Sequence, residues 1–379
     1  MRYVTFHGEQ ISRLGFGFMR LPVHNGDQSQ VDYGKADEMV LYALENCVNY
    51  YDTAYPYHNG HSEMTLGRIL AENRIGDQVK IATKLFTLGM DKPDYSPQRM
   101  LEEQLRRLRT DHIDFYLIHG LHGDQWDTLK DRFQIVPYLD KLRREGVIRH
   151  MGFSFHDSLE KFREILDDYD WEFAQIQYNY MDYQFQAGDE GIAYARSKGI
   201  PLNIMEPLKG GNLIFPSYPA IAAIKEKWGL GEMSSAELGL RYVLDKDGLL
   251  SVLSGMSTLE QVKENIAIAD RAAEGCCTEA ERGCVREIRD YLNSQEQIPC
   301  TACRYCCEGC PQKIQIPEAF RLYNHGKRYN NPQAQMRGYE RDCANLADCV
   351  ECGQCVEACP QHLEIPQLLR EVRQYFAGC

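Results

Sequence analysis

The chain has 379 residues, 44% hydrophobic and 26% charged, with a mean hydropathy of -0.47. No apolar run approaches the ~20 residues that a membrane span requires, so no membrane is expected as a partner. A net charge of -13 argues against nucleic acid, because phosphate binding depends on clustered cations.

The length suits one large domain and a small module, expected at 1–275 and 300–379 with a helix and linker at 276–299. The opening MRYVTFHGEQ has neither the basic n-region nor the apolar h-region of an export signal. The expected setting is cytoplasmic, reducing and anaerobic.

Before residue 280, short apolar and β-branched stretches alternate with longer segments of helical period, the signature of repeated βα units. Eight strands are predicted: LGFGFM at 14–19, NYYDT at 49–53, KIATK at 80–84, IDFYLIH at 113–119, RHMGFS at 149–154, FAQIQY at 173–178, LNIME at 202–206 and LSVLSG at 250–255. LEEQLRRL at 101–108, YLDKLRREG at 138–146 and SAELGLRYVLDK at 235–246 read as amphipathic helices between them. The count favours a (β/α)8 TIM barrel over a doubly wound sheet, since no G-x-G-x-x-G follows the first strand.

Chemistry in such a barrel sits at the carboxyl ends of the strands. Asp52 ends the second strand, Lys84 the third and His119 the fourth, while Tyr57 lies in the loop five residues beyond Asp52. Each alone reads equally well as a loop aspartate, a snorkelling lysine, a satisfied strand-end histidine or a packing tyrosine. Together, in this order and spacing, they resemble the Asp, Tyr, Lys, His tetrad of the aldo-keto reductases. The motif DTAxxY selects Tyr57 over Tyr55, and further matches are GFS at 152–154, QIQYN at 175–179, EPLKGG at 206–211 and SGMSTLEQVKEN at 254–265.

That resemblance covers about residues 1–275 and implies several things. VTFHGEQIS would form a hairpin plugging the barrel floor. Hydride would pass between a nicotinamide and a carbonyl carbon while Tyr57 gives the alkoxide its proton. A phenol of pKa near 10 is a poor acid at neutral pH, so Lys84 would stabilise phenolate, with Asp52 holding Lys84 charged and His119 orienting the substrate oxygen.

The cofactor positions depart from that family's pattern. Ser154-Phe155 replaces the usual Ser-Asn, Met205 the usual aromatic, Glu206 a small residue facing pyrophosphate, and Gln261 the arginine that grips a 2'-phosphate. The expected cofactor contacts are Ser154, Gln175, Lys209, Gly210, Gly211, Ser257, Gln261 and Asn265, with Glu264 beside them. NAD(H) or NADP(H) is expected without a preference for NADPH, and flavin mononucleotide stands as an alternative.

The substrate is expected to be a small carbonyl or alcohol, met by loops at 120–135, 182–190 and 212–220. Trp126, Phe133, Tyr183, Phe185, Phe215 and Tyr218 in these loops suggest an apolar or ring-bearing molecule, against the plainer reading that they pack the loops. His122 either lines the pocket or faces solvent, and solvent is favoured.

SQEQIP at 294–299 reads as the linker. Beyond it one phrase, C-x2-C-x2-C-x3-C-P, occurs twice: Cys300, Cys303, Cys306, Cys310 and then Cys349, Cys352, Cys355, Cys359. This is the bacterial spacing for two [4Fe-4S] clusters, in which the fourth cysteine ligates the other cluster. One cluster therefore takes Cys300, Cys303, Cys306 and Cys359, and the other takes Cys349, Cys352, Cys355 and Cys310. Zinc ribbons also use paired C-x2-C, but they have no need of the Cys-Pro ending.

The repeat runs on through CPQKIQIPEAFRLYN and CPQHLEIPQLLREVR, 49 residues apart from Cys310 to Cys359, each turning helical after its Ile-Pro. It looks like the alpha-helical ferredoxin family, making the C-terminal domain mainly helical. Cys307 reads as non-ligating and Cys47 as a core residue, while Cys276, Cys277, Cys284, Cys343 and Cys379 have no partner spacing.

The leading expectation is an oxidoreductase whose barrel interconverts carbonyl and alcohol while the clusters carry electrons, with a ferredoxin or flavoprotein as redox partner. The alternatives are a nicotinamide-dependent reductase with structural clusters, and an electron-transfer subunit with an inactive barrel.

Overall fold

A computed structural model of the chain describes every residue except 88, 89, 91, 93, 216, 217, 296 and 301. Ten strands are present: β1 Tyr3–Phe6, β2 Glu9–Ser12, β3 Leu14–Gly17, β4 Tyr50–Asp52, β5 Lys80–Leu85, β6 Ile113–Leu121, β7 Ile148–Phe155, β8 Phe173–Gln177, β9 Leu202–Met205 and β10 Leu249–Gly255. β1 and β2 form an antiparallel hairpin, and β3 to β10 close into an eight-stranded parallel barrel. All eight predicted strands lie in it, and the predicted helices overlap Pro97–Leu108, Ile135–Arg144 and Ser235–Leu244, the latter two ending two residues before the predicted limits of 146 and 246.

Period-two alternation decides what fills the barrel. Tyr50, Ala82, Phe115, Leu117, Phe173, Leu250 and Leu253 make its inner core, and Phe6 and Ile11 of the hairpin join them as a floor. Ile81, Leu85, Tyr116, Met151 and Phe153 belong instead to the outer core that packs the helices. The inward positions beyond the apolar fill are then Asp52, Lys84, His119, Ser154 and Gln175. Aliphatic layers thus end and polar ones begin at the carboxyl ends of the strands.

The described residues divide into two compact units, 1–210 with 233–282, and 211–232 with 283–379. In the second unit, Gly283 admits the ring of Trp228, since a Cβ there would lie 2.3 Å from it. Glu287 accepts from Trp228 Nε1 and Lys227 Nζ at 2.9 and 2.7 Å, which ties 211–232 to the helix Glu279–Ser294. Segment boundaries at 275 and 299 remain a proposal about separate domains, and Glu296 of the expected linker lies outside the described residues.

The helices Ile316–Arg328 and Ile365–Ala377 each begin with Ile-Pro and pack together around Phe320, Leu322, Leu369, Val372 and Phe376. Gly326 leaves room for Tyr375, whose hydroxyl would lie 2.8 Å from a Cβ. Among the described residues no helix is long and apolar enough to cross a membrane.

Candidate active site

Lys84 lies fully buried on β5, its Nζ donating at 2.8 Å to both carboxylate oxygens of Asp52 on β4 and at 2.8 Å to the Thr53 carbonyl. A buried ion pair is tolerable only when well partnered, and here all three ammonium hydrogens have acceptors. Desolvation pushes the Lys84 pKa down, but Asp52 and Tyr57 outweigh it and hold it above its ordinary value, so the side chain stays an ammonium.

The Tyr57 ring lies with its centroid 5.0 Å from Lys84 Nζ and 6.0 Å from the His119 ring, edge-on to it. Burial raises the phenol pKa above 10 and Lys84 pulls it down without cancelling that rise. The expected net lowering is therefore absent in the protein alone, because desolvating the phenolate costs more than one ammonium already shared with Asp52 returns. Tyr55 turns elsewhere, stacked on Phe86 at 5.7 Å and under the Arg107 guanidinium at 3.8 Å.

The loop bearing Tyr57 is pinned. His58, Asn59 and Gly60 have φ of 52°, 52° and 90°, left-handed backbone that side-chain-bearing residues adopt only when held. The Leu21 N–H donates to His58 Nε2 at 3.0 Å, and Ser62 Oγ donates to the Phe18 carbonyl at 3.1 Å. His119 is neutral, burial first and then Lys84 and His156 lowering its pKa from 6.5 to about 3.

Tyr57 and His119 open onto a cavity of about 460 Å³ whose walls include Met19, Phe86, Thr87, His122 and Gln125. His122 lines the pocket and is at the same time exposed, as the solvent-facing expectation had it. None of the six loop aromatics lines it. Trp126 is buried against Trp171 at 5.1 Å, Phe133 packs on Tyr95 at 5.2 Å, and Phe215 packs on Tyr218 at 5.8 Å. Tyr183 packs on the outer core and Phe185 is exposed, so these rings pack loops or face water. Pro216 and Ser217 of the third expected loop lie outside the described residues.

The expected cofactor contacts divide by whether they are already partnered. Ser154 Oγ accepts from the Gly120 N–H at 2.7 Å, Asn265 Nδ2 donates to Ser254 Oγ at 2.9 Å, and Gln261 Oε1 accepts from the Ser257 N–H at 2.8 Å. Lys209 Nζ lies 2.6 Å from both carboxylate oxygens of Asp182. Gln175 differs: among the described residues its Oε1 is buried without a partner, and its Nε2 meets Met205 Sδ at 3.7 Å. Gly210 and Gly211 have φ of 64° and 92°, in the turn Lys209–Gly211. Arg20, which no sequence signal marked, stands with its side chain against Gly210 and Gly255.

In the second unit the cysteines surround two small cavities. Cys300, Cys303, Cys306 and Cys359 line one, with Ile316, Phe320, Leu363 and Ile365. Cys310, Cys349, Cys352 and Cys355 line the other, with Ile314, Ile316 and Leu369. Cys307 lines neither. Four thiolates on one zinc ion would stand about 3.8 Å apart from bonds of ~2.3 Å. Among the described residues, no three of these eight cysteines bring their sulfurs within 4.8 Å of one another.

Elsewhere, Cys47 is exposed and not core, because it follows the helix Tyr33–Glu45 with φ of 69°. Cys276 and Cys277 meet Asp245, a grouping invisible in their spacing.

The profile of the aldo/keto reductase family matches residues 13–273, and that of a 4Fe-4S dicluster domain matches 299–363. An NADH-specific methylglyoxal reductase of Escherichia coli is 28% identical over 304 residues, covering 68% of this chain and 89% of its own. L-galactose dehydrogenase of Arabidopsis thaliana is 28% identical over 279 residues, covering 69% and 85%. The holo structure of the aldo-keto reductase AKR11C1 from Bacillus halodurans is 26% identical with a TM-score of 0.59, covering 76% of this chain and 95% of that one. An aldo/keto reductase from Klebsiella pneumoniae in complex with NADP and acetate is 21% identical with a TM-score of 0.60 over the same shares, a likeness of fold.

Proposed function

The chain belongs to the aldo/keto reductase family and carries a C-terminal 4Fe-4S dicluster domain, and from that premise we propose an oxidoreductase that interconverts a small carbonyl and its alcohol with a nicotinamide dinucleotide. One observation carries the reading: Tyr57 and His119 open onto one cavity while the buried Lys84–Asp52 pair stands behind Tyr57. NADP in the Klebsiella structure and NADH in the name of the Escherichia coli relative support the nicotinamide, and nothing in these likenesses supports the flavin alternative.

When bound, the nicotinamide supplies or takes a hydride, and the clusters hold electrons singly. The protein's own part is proton handling. Tyr57, held protonated by burial, is the acid that gives its phenolic proton to the carbonyl oxygen. Lys84 stabilises the phenolate left behind, Asp52 keeps Lys84 charged and aimed, and neutral His119 hydrogen-bonds the substrate oxygen. The unpartnered Gln175 Oε1 and the Gly210-Gly211 amides suit a carboxamide and a phosphate.

Cys300, Cys303, Cys306 with Cys359, and Cys349, Cys352, Cys355 with Cys310, would hold two [4Fe-4S] clusters, as the crossed lining of the two cavities supports. With the apolar walls of these cavities, such clusters would be part of the packing whether or not they pass electrons. The test uses protein purified without oxygen. About eight irons per chain and bleaching of the cluster absorption on adding NADH or NADPH would support nicotinamide-linked electron transfer. Eight irons without bleaching, but with carbonyl reduction, would leave a reductase with structural clusters; zinc in place of iron would sink the cluster assignment.

A further inference from the structure

Arg20 ends the short turn Phe18–Arg20 that follows β3, and three strand ends meet around it. Ser257 Oγ, beyond β10, donates to the Arg20 carbonyl at 2.6 Å. The aliphatic stem runs across Gly255, where a Cβ would come within 3.2 Å of its Cγ and Cδ. The guanidinium reaches Gly210, where a Cβ would come within 2.7 Å of Nη2. Two glycines, one in the turn after β9 and one at the end of β10, therefore keep open the space that this one side chain fills.

The electrostatics give that placement a purpose. Glu206 follows β9 and would by itself repel phosphate. Desolvation raises its pKa, and Arg20 first and then Lys209 oppose that rise, so both cations act on it. Lys209 is already bound to Asp182. Among the described residues no carboxylate lies within 4.0 Å of the Arg20 guanidinium, which leaves a planar fork of five donors on an exposed side chain beside Gly210.

We infer that Arg20, seated between Gly210 and Gly255, grips the phosphates of the dinucleotide and offsets the charge of Glu206. The inference rests on the nicotinamide reading above. A guanidinium matches phosphate with two parallel charge-assisted hydrogen bonds, which a lysine in the same place cannot reproduce. It also explains how a chain with glutamate at a phosphate-facing position and glutamine at position 261 can hold such a ligand: the cation comes from the end of the neighbouring strand β3, which pairs with β10.

The test is a fluorescence titration of the full-length, cluster-loaded protein with NADH, and with reduced nicotinamide riboside as a phosphate-free probe. Arg20→Met should weaken NADH about tenfold to a hundredfold, and it should flatten the dependence on salt. Arg20→Lys should recover part of the loss, and Glu206→Gln should tighten NADH. The riboside should bind Arg20→Met as it binds the wild type. NADH binding unchanged in Arg20→Met would overturn the role of Arg20 while leaving the dinucleotide reading intact. Equal losses for NADH and riboside would also overturn it, by making Arg20 a packing residue. Failure of the wild type to bind NADH or NADPH would remove the dinucleotide reading, and Arg20's role with it.

Discussion

The barrel and the cysteine module reach order by opposite routes. In the barrel, Asp52, Lys84, His119 and Gln175 are the next inward positions after an aliphatic and aromatic fill that packs without any ligand. In the module, Cys306 is part of the hydrophobic core and Cys300, Cys310, Cys349, Cys355 and Cys359 pack against it, beside Ile314, Ile316, Leu346 and Ile365. The four-residue helices Tyr305–Glu308 and Gln354–Glu357, which carry the phrases, start from left-handed residues and have no side-chain caps. Isolated helices that short are not stable in water. The barrel is a scaffold that presents chemistry, whereas the module is a scaffold that its inorganic guests would complete.

Removing the guests is the largest perturbation that follows from this contrast. Iron chelation after oxidation should abolish the ordered packing of the module, seen as loss of amide-exchange protection across Ile316–Arg328 and Ile365–Ala377. The strands of the barrel should stay protected. Equal loss in both regions would break the comparison. Single substitutions sharpen it: Cys359→Ser and Cys310→Ser should each lower iron from about eight to about four per chain, and the two variants should retain different clusters.

The barrel offers the converse case, lost chemistry without lost structure. Tyr57→Phe should lower kcat/KM for carbonyl reduction by about 10²–10⁴, the range typical of a positioned proton donor, with iron content and thermal stability unchanged. A rate within twofold of wild type would remove Tyr57 from the chemistry.

Lys84→Met should cost stability as well as activity, because it strands the Asp52 carboxylate in a buried site. Breaking such a pair costs about 3–5 kcal/mol. Adding Asp52→Leu should restore most of the stability and none of the activity, measured by denaturant unfolding of the barrel. If Lys84→Met alone leaves stability intact, water must reach Asp52 and the pair is not the sealed element its burial indicates.

What the sequence made legible follows from the same physics. The strands, and the strand-end places of Asp52, Lys84 and His119, were readable because alternation and motif spacing are local, and because the carboxyl end of a strand is a position in the chain as much as in space. The crossed grouping of the cysteines around two cavities was readable because Cys-Pro spacing directs the fourth cysteine away from the first three. The pocket wall was not. Trp126 lies in a segment that reads as a pocket loop but is drawn under by Trp171 and by Asp168, which accepts from its indole N–H at 2.6 Å. Arg20 was invisible for a like reason: its neighbours Gly210 and Gly255 are distant in the chain, and only barrel closure through β10 and β3 brings them to it.

The smallest predicted effect concerns His119 and depends on a sign. Burial depresses its pKa from 6.5 to about 3, so below pH 6.5 the unfolded chain takes up a proton that the folded barrel refuses. Stability from this residue is thus complete above pH 6.5 and declines as pH falls toward 3. Between pH 6.5 and 5 the loss is at most about 2 kcal/mol, from about 1.4 kcal/mol per pH unit for one proton. Glu172 adds little in that window. Burial acts upward on its carboxyl, but hydrogen bonds from His150 and the Met151 N–H outweigh it and hold the pKa at about 2, so its contribution is lost only below 4.5. Urea unfolding at pH 7 and pH 5, followed through protection of the barrel strands, should show His119→Gln losing less stability than the wild type over that interval. The rate of carbonyl reduction should show no break near pH 6.5 from this residue, since the imidazole stays neutral throughout. A rate that falls as pH rises through 6.5, in a manner that His119→Gln abolishes, would mean that the charged histidine is the working form, and the hydrogen bond to the substrate oxygen would then come from an imidazolium.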